Sequence, residues 1–346
     1  MELENIKKEI DALNNKDIDL LIAYLKDKKI SNIYTNLLVG AIEAKYSEGI
    51  VCPDCGSIHV IKFGKNKNGM QMYKCKDCES RFNLLKNTFL ENAHLHLTVW
   101  IKYMIMMNQN EDMRDCATYA GVSLKTSFMM RHRILNALSN NMKKTQLKGI
   151  VEVDNTSTTI SFSGNHKKHD QSVELPRKAY KRGRKSLRHK HKASFTDEII
   201  IAAAVDRTGA IFAKVAKIGS TMLCTDECVN TYKEHMSNAS IICSDGEFSF
   251  RTLAKKVSAD LHAYKKDSKE KRGIYHINHV NYFHSAFKQY LLEHRGISSK
   301  YLDEYLSLVA YNVMHKLKDV QSVFNDVFTC ECTFRCKNYT KTGFIL

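Results

Sequence analysis

The chain has 346 residues, with 53 Lys+Arg against 37 Asp+Glu and a formal net charge of +16. The length allows two or three domains with self-supporting cores, and 43% hydrophobic with 26% charged residues is a globular composition, not a disordered one. No apolar run reaches the roughly 18–20 residues that span a bilayer, and the first residues lack the apolar region of a secretory signal; a basic chain of this kind suits a polyanionic partner, most often nucleic acid.

Residues 1–48 read as an N-terminal helical region. One apolar stripe runs through Leu20, Leu21, Tyr24 and Leu25, and a second through Leu37, Leu38, Ile42 and Ala44. Residues 49–90 change character: short β-rich stretches surround two Cys pairs and the turn-like Lys65–Gly69. Cys52 and Cys55 form one Cys-x-x-Cys pair, Cys75 and Cys78 the other. Tetrahedral zinc needs four soft ligands at one point, and two such turns brought together by a hairpin supply them, so a structural zinc ribbon is expected. With all four positions taken by cysteine, no open position remains for catalysis. Of the other seven cysteines, Cys116, Cys224, Cys228 and Cys243 are read as small buried apolar residues, and Cys330, Cys332 and Cys336 as a cluster without a fourth ligand.

Residues 91–145 read as helical. Leu97, Trp100, Ile101, Met104 and Ile105 form an apolar face, and a short helix, a turn at Gly121 and a second helix follow. The second helix carries Lys125, Thr126, Ser127, Arg131 and Arg133, the short polar and basic side chains that a helix-turn-helix offers to a major groove. Plain helical packing is the competing reading.

Residues 146–316 alternate strands and helices: 149–162 as two strands, then strands at 199–205 and 210–218, a helix near 222–236, a strand ending at Asp245, and helices near 248–258, 277–294 and 298–316. That order is mixed α/β, a sheet covered by helices. A basic insertion, 165–193, interrupts it; between His166 and Lys192 it holds eleven Lys+Arg against two acids. It is expected to act as a DNA-phosphate arm through Lys181, Arg182, Arg184, Lys185 and Arg188. Residues 317–346 read as a C-terminal tail.

Two strands end in acids, Asp154 and Asp245. Strand ends of this kind can point both carboxylates at one spot, and hard oxygen ligands there suit Mg²⁺ or Mn²⁺. Such ions drive phosphoryl transfer by activating a hydroxyl and stabilising the leaving oxygen. On the last long helix but one, Asn281, His284 and Lys288 fall at i, i+3 and i+7 and share a stripe beside the apolar Val280, Phe283, Phe287 and Leu291.

With these motifs in place, the chain resembles the DDE-type transposases of bacterial insertion sequences, in the ISXO-like group with an N-terminal zinc ribbon (insertion-sequence family fifteen-ninety-five). The resemblance covers about residues 50–315. It rests on the two Cys pairs, on Val151–Asp154, on Ser244–Phe250 and on His276–Leu306. It implies a multidomain α/β protein whose RNase H-like catalytic domain follows a helical segment, a zinc ribbon and a helix-turn-helix. It also implies a cut-and-join reaction on double-stranded DNA, at the element's terminal inverted repeats and the target. Asp154, Asp245 and Asn281 would hold the catalytic metal, Asn281 standing where the wider superfamily has Glu. Lys288 would meet a DNA phosphate or the leaving oxygen, and His284 would orient substrate. A dimer or larger assembly on DNA, in the bacterial cytoplasm at the nucleoid, is implied with them. One departure stands out: the family usually has Glu directly after the first Asp, and this chain has Asn155, with Glu152 two residues before Asp154. The competing functions are a catalytically silent DNA-binding regulator and an RNase H-like nuclease.

Overall fold

The structure is a computed structural model that describes residues 7, 9–165, 175, 197–264, 273–315 and 319–339, the side chains of 15, 23–35, 337 and 338 excepted. The chain divides into two compact units: 1–127 with 319–329, and 128–318 with 330–346.

The first unit opens with α1 (Asn15–Lys45), a single 31-residue helix capped by the Asn14 side chain. Of the expected stripes, Leu37 is buried and Leu20 is exposed. A small antiparallel sheet follows, β1 (Val60–Lys65), β2 (Gln71–Cys75) and β3 (Arg81–Phe82), in the order β1-β2-β3. Tyr73 and Phe82 stack beside Cys52 and Cys75 to form its small core. Helices α2 (Leu97–Asn108) and α3 (Met113–Ala120) complete the N-terminal part. Asp112 caps α3 through the amides of Arg114 and Asp115, and Gly121 ends it at φ +69°, a left-handed conformation that glycine adopts without steric cost.

The segment read as a C-terminal tail contains the helix Val320–Thr329, which packs on α1 and α2. Its apolar face, Val323, Phe324, Val327 and Phe328, is fully committed to this unit. Phe89 meets Trp100 edge-on at 5.4 Å between centroids and Phe324 at 5.5 Å. The ten-residue helix is too short for its periodicity to stand out against a polar C-terminal stretch.

The boundary between the units falls inside α4 (Leu124–Met142). The second unit is built on a five-stranded sheet with the order β6-β5-β4-β7-β8. Its strands are β4 (Lys148–Thr159), β5 (Glu198–Asp206), β6 (Ile211–Ile218), β7 (Asn238–Ser244) and β8 (Asp260–Ala263). The first three pair antiparallel as a meander; β7 and β8 then add parallel to β4. The stretch expected to hold two strands is one strand, β4. Its residues Val151–Thr159 pair without a break with Asp206–Glu198, and the β-branched run Thr156–Thr159 continues it.

Alternation along β4 sorts its side chains. Val151 and Val153 enter a core with Ile200, Ala202, Ala204, Phe212, Tyr232, Phe250 and Leu253. That face is covered by α5 (Thr225–Tyr232) and α6 (Phe248–Val257). Glu152 and Asp154 point to the opposite face, against α7 (Asn278–Glu293). The apolar stripe Val280, Phe283 and Phe287, with Tyr290, seats α7. Helix α8 (Leu302–Met314) packs on β6, where Asp303 accepts the Val215 amide at 2.6 Å. Burial pushes the Asp303 carboxyl above its ordinary range. Strand β8 has no counterpart in the sequence reading, because four half-exposed residues carry too little pattern. No helix among the described residues is long and apolar enough to cross a membrane.

Candidate functional site

Register relates the positions of the two acids along neighbouring strands. Glu152 lies opposite Cys243 in the parallel β4–β7 pair. Asp154 and Asp245 are each two residues further on, where β7 has ended and β4 continues. Asp154 is therefore not at a strand end, as the sequence suggests, but stands in the middle of β4 past the end of its neighbour. Counted from the Glu152–Cys243 pair, Asp154 and Asp245 fall at the same level, just beyond the C-terminal end of β7. Gly246, at φ +94°, turns the chain directly after Asp245, and the Glu247 amide donates to Asp245 Oδ1 at 3.3 Å.

Asp154 Oδ1 accepts the Asn155 amide at 2.9 Å, and its Oδ2 lies 3.4 Å from His284 Nδ1. His284 is buried, and its Nε2 has no hydrogen-bond partner among the described residues. The shared stripe on α7 divides: His284 turns in to Asp154, while Asn281 and Lys288 sit exposed at the rim. The carboxylates are half-buried hard oxygens with lone pairs left over, a donor set that fits a divalent cation. Among the described residues, neither Asp154 nor Asp245 belongs to a group of three His, Cys, Asp or Glu ligand atoms within 4.8 Å of one another.

Asn155 points to the other face of the sheet. Its Oδ1 accepts from the Tyr232 hydroxyl at 2.9 Å, and its Nδ2 donates to Glu247 Oε2 at 3.1 Å. Tyr232 is fully buried and also donates toward the Asp154 and Ala203 carbonyls, at 3.2 and 3.3 Å. Burial holds its hydroxyl well above the ordinary tyrosine range, so it stays a donor. A carboxylate from the β7–α6 turn, that of Glu247, thus meets Asn155, which ties the turn to β4. Nothing in the sequence pairs residues 92 positions apart, so Glu247 escaped notice.

The four cysteines converge. Cys52 Sγ lies 3.6 Å from Cys78 Sγ and Cys55 Sγ 3.7 Å from Cys75 Sγ, and all four atoms fall within 4.8 Å of one another. A tetrahedron with metal–sulfur bonds near 2.3 Å has edges of about 3.8 Å, so the spacing fits a four-coordinate ion. Both turns fold alike: Cys52 N–H donates to Ser57 O at 2.8 Å, and Cys75 N–H to Ser80 O at 2.9 Å. The Cys78 amide beside Cys75 pulls that thiol below its ordinary range. Among the remaining cysteines, Cys116, Cys228 and Cys243 are buried as expected. Cys224 is exposed at the N-cap of α5, where the packing that buries its neighbours ends. Cys330, Cys332 and Cys336 form no group of three metal-ligating atoms with any neighbour among the described residues.

The helix-turn-helix candidates part company. Lys125 is exposed; Thr126 and Arg133 are half-buried, with the Arg133 guanidinium 5.4 Å over the Phe334 ring. Ser127 and Arg131 are buried. Ser127 cannot present its hydroxyl to a groove, because it donates to Met113 O at 2.8 Å and its carbonyl accepts from Tyr103 at 2.9 Å. The periodicity of α4 mixes polar with apolar positions and conceals this. Lys181, Arg182, Arg184, Lys185 and Arg188 lie outside the described residues.

A second polar cluster lies one turn along the same face. Glu152 is wholly buried; Arg207, His276 and His279 converge on its Oε1. Glu152, His276 and His279 have the donor types for a metal, but the Arg207 guanidinium already occupies the place of a cation there.

The comparisons with known proteins cover the part of the chain that contains these residues. The model of the ISXO2-like transposase domain matches residues 146–313, which contain the five-stranded sheet, α7 and nearly all of α8. An uncharacterized protein in transposable element ISH50 of Halobacterium salinarum is 25% identical over 142 residues, 41% of this chain. The match spans 45% of that relative, less than half of its length. Among solved structures, the chain is similar to a pre-cleavage Mos1 transpososome at 12% identity, covering 65% of this chain and 75% of that one, with a TM-score of 0.25. A Mos1 transposase paired-end complex with left transposon end gives 13% identity, 65% and 77% coverage and a TM-score of 0.22. At those scores the superpositions carry no argument. The match over residues 146–313, together with a relative from a transposable element, identifies this region of the chain as an ISXO2-like transposase domain.

Proposed function

We propose that residues 146–316 form an RNase H-like catalytic domain that cleaves DNA at the ends of an insertion sequence and joins them to a target. The observation that supports this reading is the register of β4 and β7: Asp154 and Asp245 each follow the paired Glu152 and Cys243 by two residues, at the C-terminal end of β7. The strand order, an antiparallel meander extended by two parallel strands, supports the RNase H-like description. Asp154, Asp245 and Asn281 would hold Mg²⁺ or Mn²⁺. The chemistry an ion supplies in such a donor set is activation of the attacking oxygen and stabilisation of the leaving one.

The chain's own residues do the rest. Asp154 is oriented by His284 on one oxygen and by the Asn155 amide on the other. Asn281 is neutral, so substrate phosphate has to complete the charge balance of the site. Lys288, exposed on the same helix, meets a phosphate or the developing charge on the leaving oxygen. The four cysteines hold a structural zinc in residues 49–90, and the ribbon, Lys125, Thr126, Arg133 and the basic insertion 165–193 bind double-stranded DNA. Pairing of two ends calls for a dimer or larger assembly on DNA.

A mating-out assay with a marked element tests this. Asp154→Ala and Asp245→Ala should each abolish transposition while the protein accumulates normally. Transposition at the parental frequency by either variant would end the proposal.

A further inference from the structure

We propose that Glu152, with Arg207 and His279, is a positioning clamp that fixes the N-terminus of α7, and with it the placement of His284 beside Asp154 and of Asn281 one turn earlier on the helix. The inference rests on the proposed function only for what α7 brings to the site; the clamp itself stands on geometry.

Helix α7 begins with little local capping, its first amide, that of Asn278, donating to His276 Nδ1 at 3.4 Å. Its N-cap residue is Ile277, which offers no side-chain acceptor, and the first amides of any helix lack intrahelical partners. The acceptor comes from β4 instead. Glu152 Oε2 takes the His279 amide at 2.7 Å and the Val280 amide at 3.1 Å. A carboxylate at this end also complements the helix dipole. Glu152 Oε1 is held by the Arg207 guanidinium and by His279 Nδ1 at 2.7 Å. Arg207 comes from the β5–β6 turn, and its Nη2 donates on to Ile274 O at 2.7 Å and His276 O at 3.3 Å. The segment entering the helix and the helix's first turn are thus both fastened to the sheet.

The bonds run to backbone amides, so they set the height and the rotation of α7, not the pose of one side chain. Asn281 follows one residue after Val280, its amide already donating to Ile277 O at 3.1 Å. His284 lies one turn on and meets Asp154, two residues along β4 from Glu152. One strand therefore holds the helix with one acid and offers the next to the site. A buried carboxylate with this many donors does not tolerate a neutral replacement. The amide of a glutamine would put a donor either against the two backbone amides or against Arg207.

Hydrogen exchange on the full-length protein, read by mass spectrometry, tests the clamp, with metal-dependent DNA cleavage measured on the same samples. The amides of 279 and 280 should exchange slowly in the parent, unlike ordinary first-turn amides. In Glu152→Gln, exchange across 277–284 should rise by roughly 10- to 100-fold while β5 and α8 stay protected. Cleavage should fall in the same variant. Arg207→Ala, less buried and less disruptive, should show the same pattern in milder form, and Arg207→Lys should restore part of both readouts. Unchanged exchange at 279–280 in Glu152→Gln would overturn the proposal. So would full cleavage by a variant whose α7 has lost protection. If Glu152→Gln exchanges everywhere, Arg207→Ala decides by the same criteria. Protection lost as described in a protein whose parent cuts no DNA would uphold the clamp and defeat the transposase reading.

Discussion

Replacing Asn155 by Asp changes one atom type and puts a carboxylate oxygen where an amide now donates to Glu247 Oε2 at 3.1 Å. Two unit charges at that distance repel by about 5 kcal/mol at an effective dielectric near 20. The pair can escape by binding a proton, and at pH 7 protonating a carboxyl of ordinary pKa costs about 4 kcal/mol, which caps the penalty. Relaxation of the half-buried Glu247 lowers it further, so a loss of roughly 2–4 kcal/mol at pH 7 is expected. The pH dependence has a definite sign. The shared site would have a folded-state pKa above its unfolded value, so its stability is present in acid and lost as pH rises. The deficit relative to the parent should therefore shrink toward pH 4. Adding Glu247→Gln should restore most of the stability at pH 7, because the new amide can donate to the new carboxylate. Urea unfolding of the two single variants and the double variant gives the coupling energy directly. An Asn155→Asp protein as stable as the parent at both pH values would refute the reasoning.

Other expectations are simpler. One zinc per chain should copurify, and Cys75→Ser should abolish its retention and unfold residues 49–90, since metal binding in such ribbons supplies about 10–16 kcal/mol of folding free energy; metal analysis and proteolysis read both. Phe324→Ala should cost about 3–5 kcal/mol, because the ring is wholly buried against Phe89 and stacked with Phe328; the loss should appear in the unit that holds 319–329. Lys288→Ala, at an exposed position, should shift stability by no more than about 0.5 kcal/mol yet lower DNA cleavage by roughly 100-fold; equal cleavage would remove Lys288 from the reaction.

What the sequence disclosed and what it hid follow from range. The cysteine spacing announced a four-sulfur site because tight Cys-x-x-Cys turns are local objects. Strands β5 and β6 and the turn between them stood out because apolar runs were broken by Asp206–Gly209. Helix α7 was legible from Val280, Phe283 and Phe287. The partners of individual polar residues were not. Glu152 looked like a strand acid beside Asp154, and its bonds to the His279 and Val280 amides come from 127 and 128 residues away. The pairing of Asn155 with Glu247, the burial of Ser127 and Arg131, and the return of Val320–Thr329 to the first unit are likewise long-range outcomes. The same limit explains Asp154, whose place in mid-strand depends on where a different strand stops.

The most direct test of the account is cleavage in vitro of a plasmid carrying the element's two ends. The parent should nick at the end boundaries only with Mg²⁺ or Mn²⁺. Asp154→Asn and Asp245→Asn, which keep shape and remove charge, should lose roughly 10³-fold in rate, since an ion at such a site supplies several kcal/mol of transition-state stabilisation. Cutting without a divalent ion, or at the parental rate by either variant, would contradict the assignment of Asp154 and Asp245 as the reactive centre.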